Sequence, residues 1–225
     1  MRTRKRPLSW IKTMKNEILF QDESILVCLK PPGVLSETGG MPELLERASG
    51  GSVFCVHRLD RAVGGVMVYA RTKEAAAALS AAIAAGRMEK SYLAVVCGRP
   101  AEEKALLTDL LYHDPARNKS YVVRRMRRGV REAELSYKRL ATAEADGKTL
   151  SLLGVTLFTG RSHQIRVQFA SRGLPLAGDG RYGSPVRDCG IALWSHSLVF
   201  PHPVTGEEML FSAPPPDRFP WTVFK

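Results

Sequence analysis

The chain has 225 residues, a net charge of +11 and 44% hydrophobic side chains. That length buries about 70% of the extended surface without a disulfide or metal staple, and the composition excludes a disordered chain, collagen and a disulfide scaffold. No run approaches the ~18 uncharged apolar residues of a spanning helix, and a charge above the ~2–8 usual for a small soluble domain points to a polyanion, nucleic acid ahead of an anionic membrane surface.

Residues 1–16 are basic and acid-free. They read as an extension without fixed structure, an overextended start with Met14 as the alternative initiator, ahead of a nucleic-acid arm or a transit-like segment. No secretory apolar region opens the chain, and Cys28, Cys55, Cys97 and Cys189 form no C-x-x-C pair. We therefore expect a reducing cytoplasm, no zinc site and no redox motif. Residues 18–20 and 25–30 read as strands around an acidic turn. Pro31-Pro32-Gly33 forces an extended turn, because proline fixes its own φ and restrains its neighbour. A loop over 37–40, a short helix over 42–48 and a strand over 53–56 follow, the last ending at His57-Arg58-Leu59-Asp60. Residues 66–70 read as a strand. Thr72 caps a helix running to about 85, with Gly86 as its stop. A strand over 92–97 precedes a polar turn over 100–104. The stretch 113–131 interleaves Arg117, Lys119, Arg124, Arg125, Arg127, Arg128 and Arg131 with Tyr121, Val122 and Val123, which suits a basic hairpin or loop. Residues 134–140 and 149–158 read as strands, 162–172 as a helix ended by Gly173, and 191–199 and 209–211 as the last strands. Hairpin signals mixed with strand–helix units predict an α+β fold: a mixed, mostly antiparallel sheet flanked by helices and loops. No repeat or linker divides residues 17–225, which we expect to form one domain.

Four segments carry candidate chemistry. His57-Arg58-Leu59-Asp60-Arg61 sets one carboxylate between two guanidinium groups, which favours the ionised form needed by a nucleophile or base; an ordinary surface ion pair is the competing reading. A kinase catalytic loop is excluded, since no Gly-rich phosphate loop or Asp-Phe-Gly accompanies it. Thr159-Gly160-Arg161-Ser162-His163-Gln164-Ile165-Arg166 is a glycine turn opening a helix whose N–H groups suit a phosphate. Ser162, Ile165 and Arg166 share a face, so Arg166 either points inward to a buried carboxylate or out to solvent. His163 reads as structural and Ser162 as a helix-start residue. Tyr92 reads as core, or as a platform for a splayed RNA base. Gly178-Asp179-Gly180-Arg181-Tyr182-Gly183 reads as turn chemistry, with Asp179 bonding nearby backbone.

Taken in order, Val56-His57-Arg58-Leu59-Asp60 with Gly65, Lys90-Ser91-Tyr92-Leu93-Ala94, Thr159 to Val167, and Gly173-x-Pro175-Leu176-x-Gly178-Asp179-x-x-Tyr182-Gly183 resemble the RluA-type RNA pseudouridine synthases. Lys30-Pro31-Pro32-Gly33 is similar to the family's early Lys-Pro-x-Gly turn. The set spans roughly residues 18–211. The resemblance implies a pseudouridine synthase-like core and isomerisation of uridine in RNA to pseudouridine, the glycosidic bond passing from N1 to C5 without cofactor or metal. It implies that Asp60 is the essential carboxylate, attacking sugar or base or promoting elimination at the sugar. It also implies that Tyr92 stacks on the target base and helps remove the C5 proton, that Arg166 pairs with the aspartate, and that Arg58 enters the RNA stack when the nucleotide flips out. His57, Arg61, Arg161, His163, Gln164 and Leu176 are the further candidates for substrate binding, Leu176 as pocket lining. The basic stretch Arg117, Lys119, Arg124, Arg125, Arg127 and Arg128 is expected to hold RNA phosphates. The expected partner is ribosomal or transfer RNA, with no membrane, for a monomer in the cytoplasm.

Two departures stand out. Val63-Gly64-Gly65 replaces the family's usual Thr-Ser-Gly run, which removes two hydroxyls from the catalytic loop, and Gln168 stands where the family usually has His. With few residues ahead of the first strand, we expect the family's common small N-terminal RNA-binding domain to be absent. The alternative class is a catalytically silent RNA-binding or RNA-chaperone protein on the same fold, for which Asp60→Asn would be harmless. A membrane-surface protein lacks its amphipathic basic helix.

Overall fold

Residues 17–225 are described by the structure, a computed structural model; the basic extension over 1–16 and Met14 lie outside the described residues. The described chain divides into two units, residues 17–88 with 197–213 and residues 89–196 with 214–225.

The first unit is built on β1 (Ile18–Gln21), β2 (Ile25–Lys30), β3 (Phe54–Cys55) and β4 (Gly64–Ala70). β4 pairs antiparallel with β2, which in turn carries β1, and β3 pairs with β4. The runs ILVCLK and GGVMVYA are apolar without alternation, as expected of strands covered on both faces, and every residue of β4 is buried. One face holds Ile25, Val27, Val66, Val68 and Ala70. These pack with Ala75 and Leu79 of α2 (Lys73–Ala84) and with Leu198 and Phe200. α2 starts where predicted, because the Thr72 hydroxyl accepts the Ala75 amide at 3.1 Å. The opposite face carries Leu26, Cys28, Lys30, Met67 and Tyr69, and the Tyr69 hydroxyl donates to Ser36 O at 2.9 Å. The 31–40 loop, followed by α1 (Met41–Ser49), is therefore tied to this face. The last stretch of β10 (Leu193–Pro201) pairs with β11 (Glu208–Ser212) as a hairpin.

The turn before β2 is bonded to that hairpin by Asp22 Oδ2 and His202 Nε2 at 2.8 Å. Partial burial acts to raise the Asp22 pKa, but the Ile25 and Ser24 amides, followed by His202, outweigh it and the net shift is downward. A lowered folded-state pKa contributes stability above the ordinary carboxylate value and loses it as pH falls. We therefore expect Asp22→Asn to destabilise at pH 7, with the gap from the wild type closing below about pH 4. Urea denaturation at the two pH values checks this, and an equal gap at both would refute it.

The second unit is an antiparallel sheet in the order β5 (Glu89–Cys97), β9 (Lys148–Leu157), β8 (Val130–Ala145), β6 (Lys104–Asp114), β7 (Lys119–Val123). β8 and β9 join through Asp146 and Gly147, both at positive φ, the backbone of a two-residue hairpin turn. α3 (Gln164–Ala170) covers one sheet face: Val167 packs on Leu111 and Ala133, and the Phe169 and Tyr137 rings meet at 5.4 Å. The mostly antiparallel sheet with flanking helices agrees with the expected α+β class. Two local expectations are corrected. β6 begins at Lys104, where a polar turn was expected; its apolar residues do not alternate, so strand periodicity is weak there. The helix containing Arg166 begins at Gln164 rather than Ser162, because His163 adopts the left-handed conformation with φ 55°.

Candidate active site

Asp60 lies in the first unit, on the turn between β3 and β4, and its side chain is partly exposed. The Val63 amide donates to Asp60 O at 2.9 Å and closes the turn. Val63 is 1% exposed, so the residue that replaces a hydroxyl of the family's run serves as packing. Buried His57 accepts the Val68 amide on Nε2 at 3.2 Å, which fixes the imidazole to β4. Buried Leu59 exchanges two hydrogen bonds with the Ser36 hydroxyl, at 2.8 and 3.0 Å. Arg58 and Arg61 are exposed: Arg58 pairs with Glu37 at 3.0 Å, an exposed pair worth little, and Arg61 Nε donates to Gly33 O at 2.9 Å.

Tyr92, Arg166, Arg161, His163, Gln164 and Leu176 lie in the second unit. In the β5–β9–β8 register Tyr92 aligns with Val155 and then Tyr137, so its ring is on the face covered by α3, where Arg166 is also found. Arg166 turns inward and makes a buried bidentate pair with Asp179, Nε to Oδ2 at 2.6 Å and Nη2 to Oδ1 at 2.9 Å. This corrects the turn-only reading of Asp179. Gly178 does supply the turn, at φ 76°, but the carboxylate beside it is 1% exposed and neutralises a buried arginine. The Gly-Asp dipeptide supplied a carboxylate, but only the fold brings it to Arg166.

Tyr182 completes the cluster. Its hydroxyl accepts the Ser120 amide at 2.8 Å and meets His163 Nδ1 at 3.0 Å. The Arg166 guanidinium sits 5.1 Å and the Lys119 ammonium 5.4 Å from its ring centroid. Burial raises the Tyr182 pKa, so the phenol stays protonated. Ser120 Oγ donates to Ser162 O at 2.6 Å. The β6–β7 hairpin is thereby hydrogen-bonded to the approach of the Arg166 helix.

The remaining residues serve neighbouring roles. Gln164 Oε1 accepts from Thr159 Oγ1 and the Arg161 amide, and its Nε2 donates to Glu134 O. Its amide closes the turn before α3. Arg161 is exposed, with Nε on Glu132 O at 2.8 Å. Leu176 is fully buried and bridges to Val96. Gln168, also fully buried, donates to Asp109 Oδ2 at 2.8 Å and Leu107 O at 3.2 Å. Arg117, Arg124, Arg125, Arg127 and Arg128 are exposed and Lys119 is partly so, on the β6–β7 hairpin and the turn after it. Arg127 stacks 5.1 Å from the Tyr112 ring centroid. A groove of about 610 Å³ lies on the sheet along β5, β6, β8 and β9, with Leu93, Leu106, Leu140 and Lys138 in its lining. The register puts Leu93, Leu106 and Lys138 on the face opposite α3, and the Leu140 side chain, at the β8 bulge, lies over Gly154 on the same face. Among the described residues no cluster of three His, Cys, Asp or Glu is placed to hold a metal ion, and no helix is long and apolar enough to cross a membrane.

The family model described as RNA pseudouridylate synthase matches residues 24–171, a stretch that contains Asp60, Tyr92 and Arg166. The dual-specificity RNA pseudouridine synthase RluA of Yersinia pestis is 34% identical over 204 residues, covering 86% of this chain and 96% of its own. The protein of the same name from Escherichia coli (strain K12) is 34% identical over 207 residues, covering 88% and 92%. The structure of human RNA Pseudouridylate Synthase Domain Containing 4 superposes with a TM-score of 0.79 over 96% of this chain and 95% of that one; at 22% identity it speaks to the fold.

Proposed function

The chain belongs to the RNA pseudouridylate synthase family, and on that premise we propose that it isomerises uridine in RNA to pseudouridine with Asp60 as the essential carboxylate. The reaction breaks the bond from the sugar C1′ to N1 and forms one from C1′ to C5; C5 loses a proton and N1 gains one, so no electrons are gained or lost overall. One observation carries the assignment of Asp60: it is a carboxylate left partly exposed on a turn whose neighbours Leu59 and Val63 are buried and bonded in place, within the stretch that the family model matches.

Tyr92 offers a flat ring to the extruded base, offsetting part of the few kcal/mol that unstacking costs. Arg166 brings a guanidinium whose orientation is fixed by Asp179. Arg58, exposed beside Asp60, is the residue that enters the vacated stack. His57 and Arg61 hold the loop in shape, while His163, Gln164, Arg161 and Leu176 shape the surroundings of Arg166 and Tyr92. The substrate is structured RNA, ribosomal or transfer; a relative from Haemophilus ducreyi, 28% identical over 222 residues, bears the name ribosomal large subunit pseudouridine synthase C. Residues 17–225 work as one catalytic domain, as a monomer in the cytoplasm and without a cofactor. Mass-resolved mapping of pseudouridine in cellular RNA with and without the protein tests the function: a site lost with the protein supports it, and an unchanged map refutes it.

The basic hairpin supplies the phosphate contacts. Each arginine that neutralises a phosphate releases counterions, so log affinity falls against log salt with a slope of about −0.7 to −0.9 per contact. Arg124→Glu with Arg127→Glu is expected to weaken RNA binding at least tenfold at 0.1 M salt and to flatten that slope by about 1.5, with the rate at saturating RNA retained. Titrations at several salt concentrations measure both, and an unchanged slope would remove this hairpin from the binding surface.

A further inference from the structure

We propose that Lys30 and Ser36 are positioning residues for Asp60, clamping the backbone on either side of it to the loop over residues 31–36. The inference rests on the reading of Asp60 as the reacting carboxylate. Lys30 ends β2 with no exposed surface, and a charged side chain is costly to bury unless its donors are met. They are met by three carbonyls: Nζ donates to Val34 O at 2.8 Å, Pro31 O at 3.2 Å and Arg61 O at 3.4 Å. Three ammonium hydrogens face three acceptors, two on the loop and one on the residue after Asp60. The Gly33 amide also donates to Arg61 O, at 2.6 Å, and Arg61 Nε returns to Gly33 O at 2.9 Å. On the other side of Asp60 the Ser36 hydroxyl, itself buried, takes both polar backbone groups of Leu59. Ser36 O accepts from the Tyr69 hydroxyl, which anchors the clamp to β4. Residues 59 and 61 are thus pinned and the carboxylate between them is aimed. The Val63-Gly64-Gly65 run has no hydroxyl to brace this turn, and Ser36 supplies one from a different part of the chain.

The clamp carries charge as well as hydrogen bonds. Burial pulls the Lys30 pKa down to about 8, and attraction to the Asp60 carboxylate works against that fall. The other titratable groups near this face are Cys28 and Tyr69, both pushed up by burial and neutral at any working pH, and Glu17, whose charge pushes the Cys28 thiol up further. The Arg61 guanidinium is engaged at Gly33. Above about pH 8 the ammonium therefore loses the proton that matches its third acceptor and its attraction for Asp60.

The test compares wild type with Lys30→Met, Lys30→Arg and Ser36→Ala. It uses steady-state turnover on RNA together with hydrogen exchange at the Leu59, Val63 and Gly33 amides. We expect Lys30→Met and Ser36→Ala to lower kcat by about 10- to 100-fold, the cost of misaiming a reacting group, with KM within twofold and faster exchange confined to these amides. Lys30→Arg should recover part of kcat. Wild-type kcat should fall as pH rises past about 8, and Lys30→Met should lack that limb. Unfolding does not explain such a limb: the unfolded lysine titrates near 10.4, so between about 8 and 10 this group makes the fold more stable as pH rises. If Lys30→Met fails to fold, the Ser36→Ala and Lys30→Arg results decide. Unchanged exchange and unchanged kcat in the folded variants overturn the clamp while leaving the function in place. Faster exchange in a protein whose wild type isomerises no uridine keeps the clamp and overturns the role of Asp60.

Discussion

Replacing Asp60 with Asn will reduce pseudouridine formation by at least about 10³-fold, the scale on which enzymes lose turnover when a reacting group is removed, while RNA affinity stays within a fewfold of wild type. Asn keeps the size and the hydrogen-bonding reach of the side chain. Asp60 sits partly exposed on a turn held by its neighbours' backbone bonds, so the turn survives without the negative charge; losing its attraction for the buried Lys30 ammonium costs about 1 kcal/mol, too little to unfold the chain. The reaction does need it, because neither a nucleophile nor a base can be made from a neutral amide. Release of tritium from C5-labelled uridine in RNA reads the chemistry directly, and filter binding reads the affinity. A variant that releases tritium normally, or that fully restores cells lacking the protein, would assign the function to binding rather than to catalysis.

The second large effect is one of stability. Asp179→Ala removes the carboxylate that holds two nitrogens of Arg166 in a place where both side chains are at most 5% exposed. Breaking a buried pair from one side costs about 3–5 kcal/mol, because the remaining charge loses a bidentate partner in a poorly hydrated site. For a chain of this size that lowers the melting temperature by roughly 10 °C. The double variant Arg166→Met with Asp179→Leu should regain most of that stability, since apolar groups of similar volume often replace a buried pair without loss, and it should remain inactive. Thermal and urea unfolding together with the tritium assay distinguish the two losses. A single variant within about 1 kcal/mol of wild type would show that Asp179 is not what holds Arg166.

Turn and cap chemistry was legible where it is local. Thr72 before a run of alanines starts α2, and 25–30 forms β2 as read. The unbroken apolar run of β4 extends the expected strand back only to Gly64. β6 was not legible: its alternation is broken by Leu106, 58% exposed, and the adjacent Leu107, 7% exposed. A strand with one open face and a leucine on each side gives no period-two signal. The helix of Arg166 starts late because His163 takes a left-handed backbone that the residue type does not announce.

By itself, the sequence determined the reaction class, through the ordered motifs around Asp60, Tyr92 and Arg166, and the preference for a polyanion, through its charge. It also determined most strands and the α2 cap, because capping, hydrophobic period and proline stiffness act over a few residues. Only the tertiary structure decided that Asp179 neutralises Arg166, that Tyr182 ties the basic hairpin to the approach of that helix, and that a lysine at position 30 spends its charge on the carbonyl of position 61. Those pairings join residues 13, 62 and 31 positions apart. Their energy comes from excluding water around groups that meet only when the sheets form, a quantity that no local pattern of residues encodes.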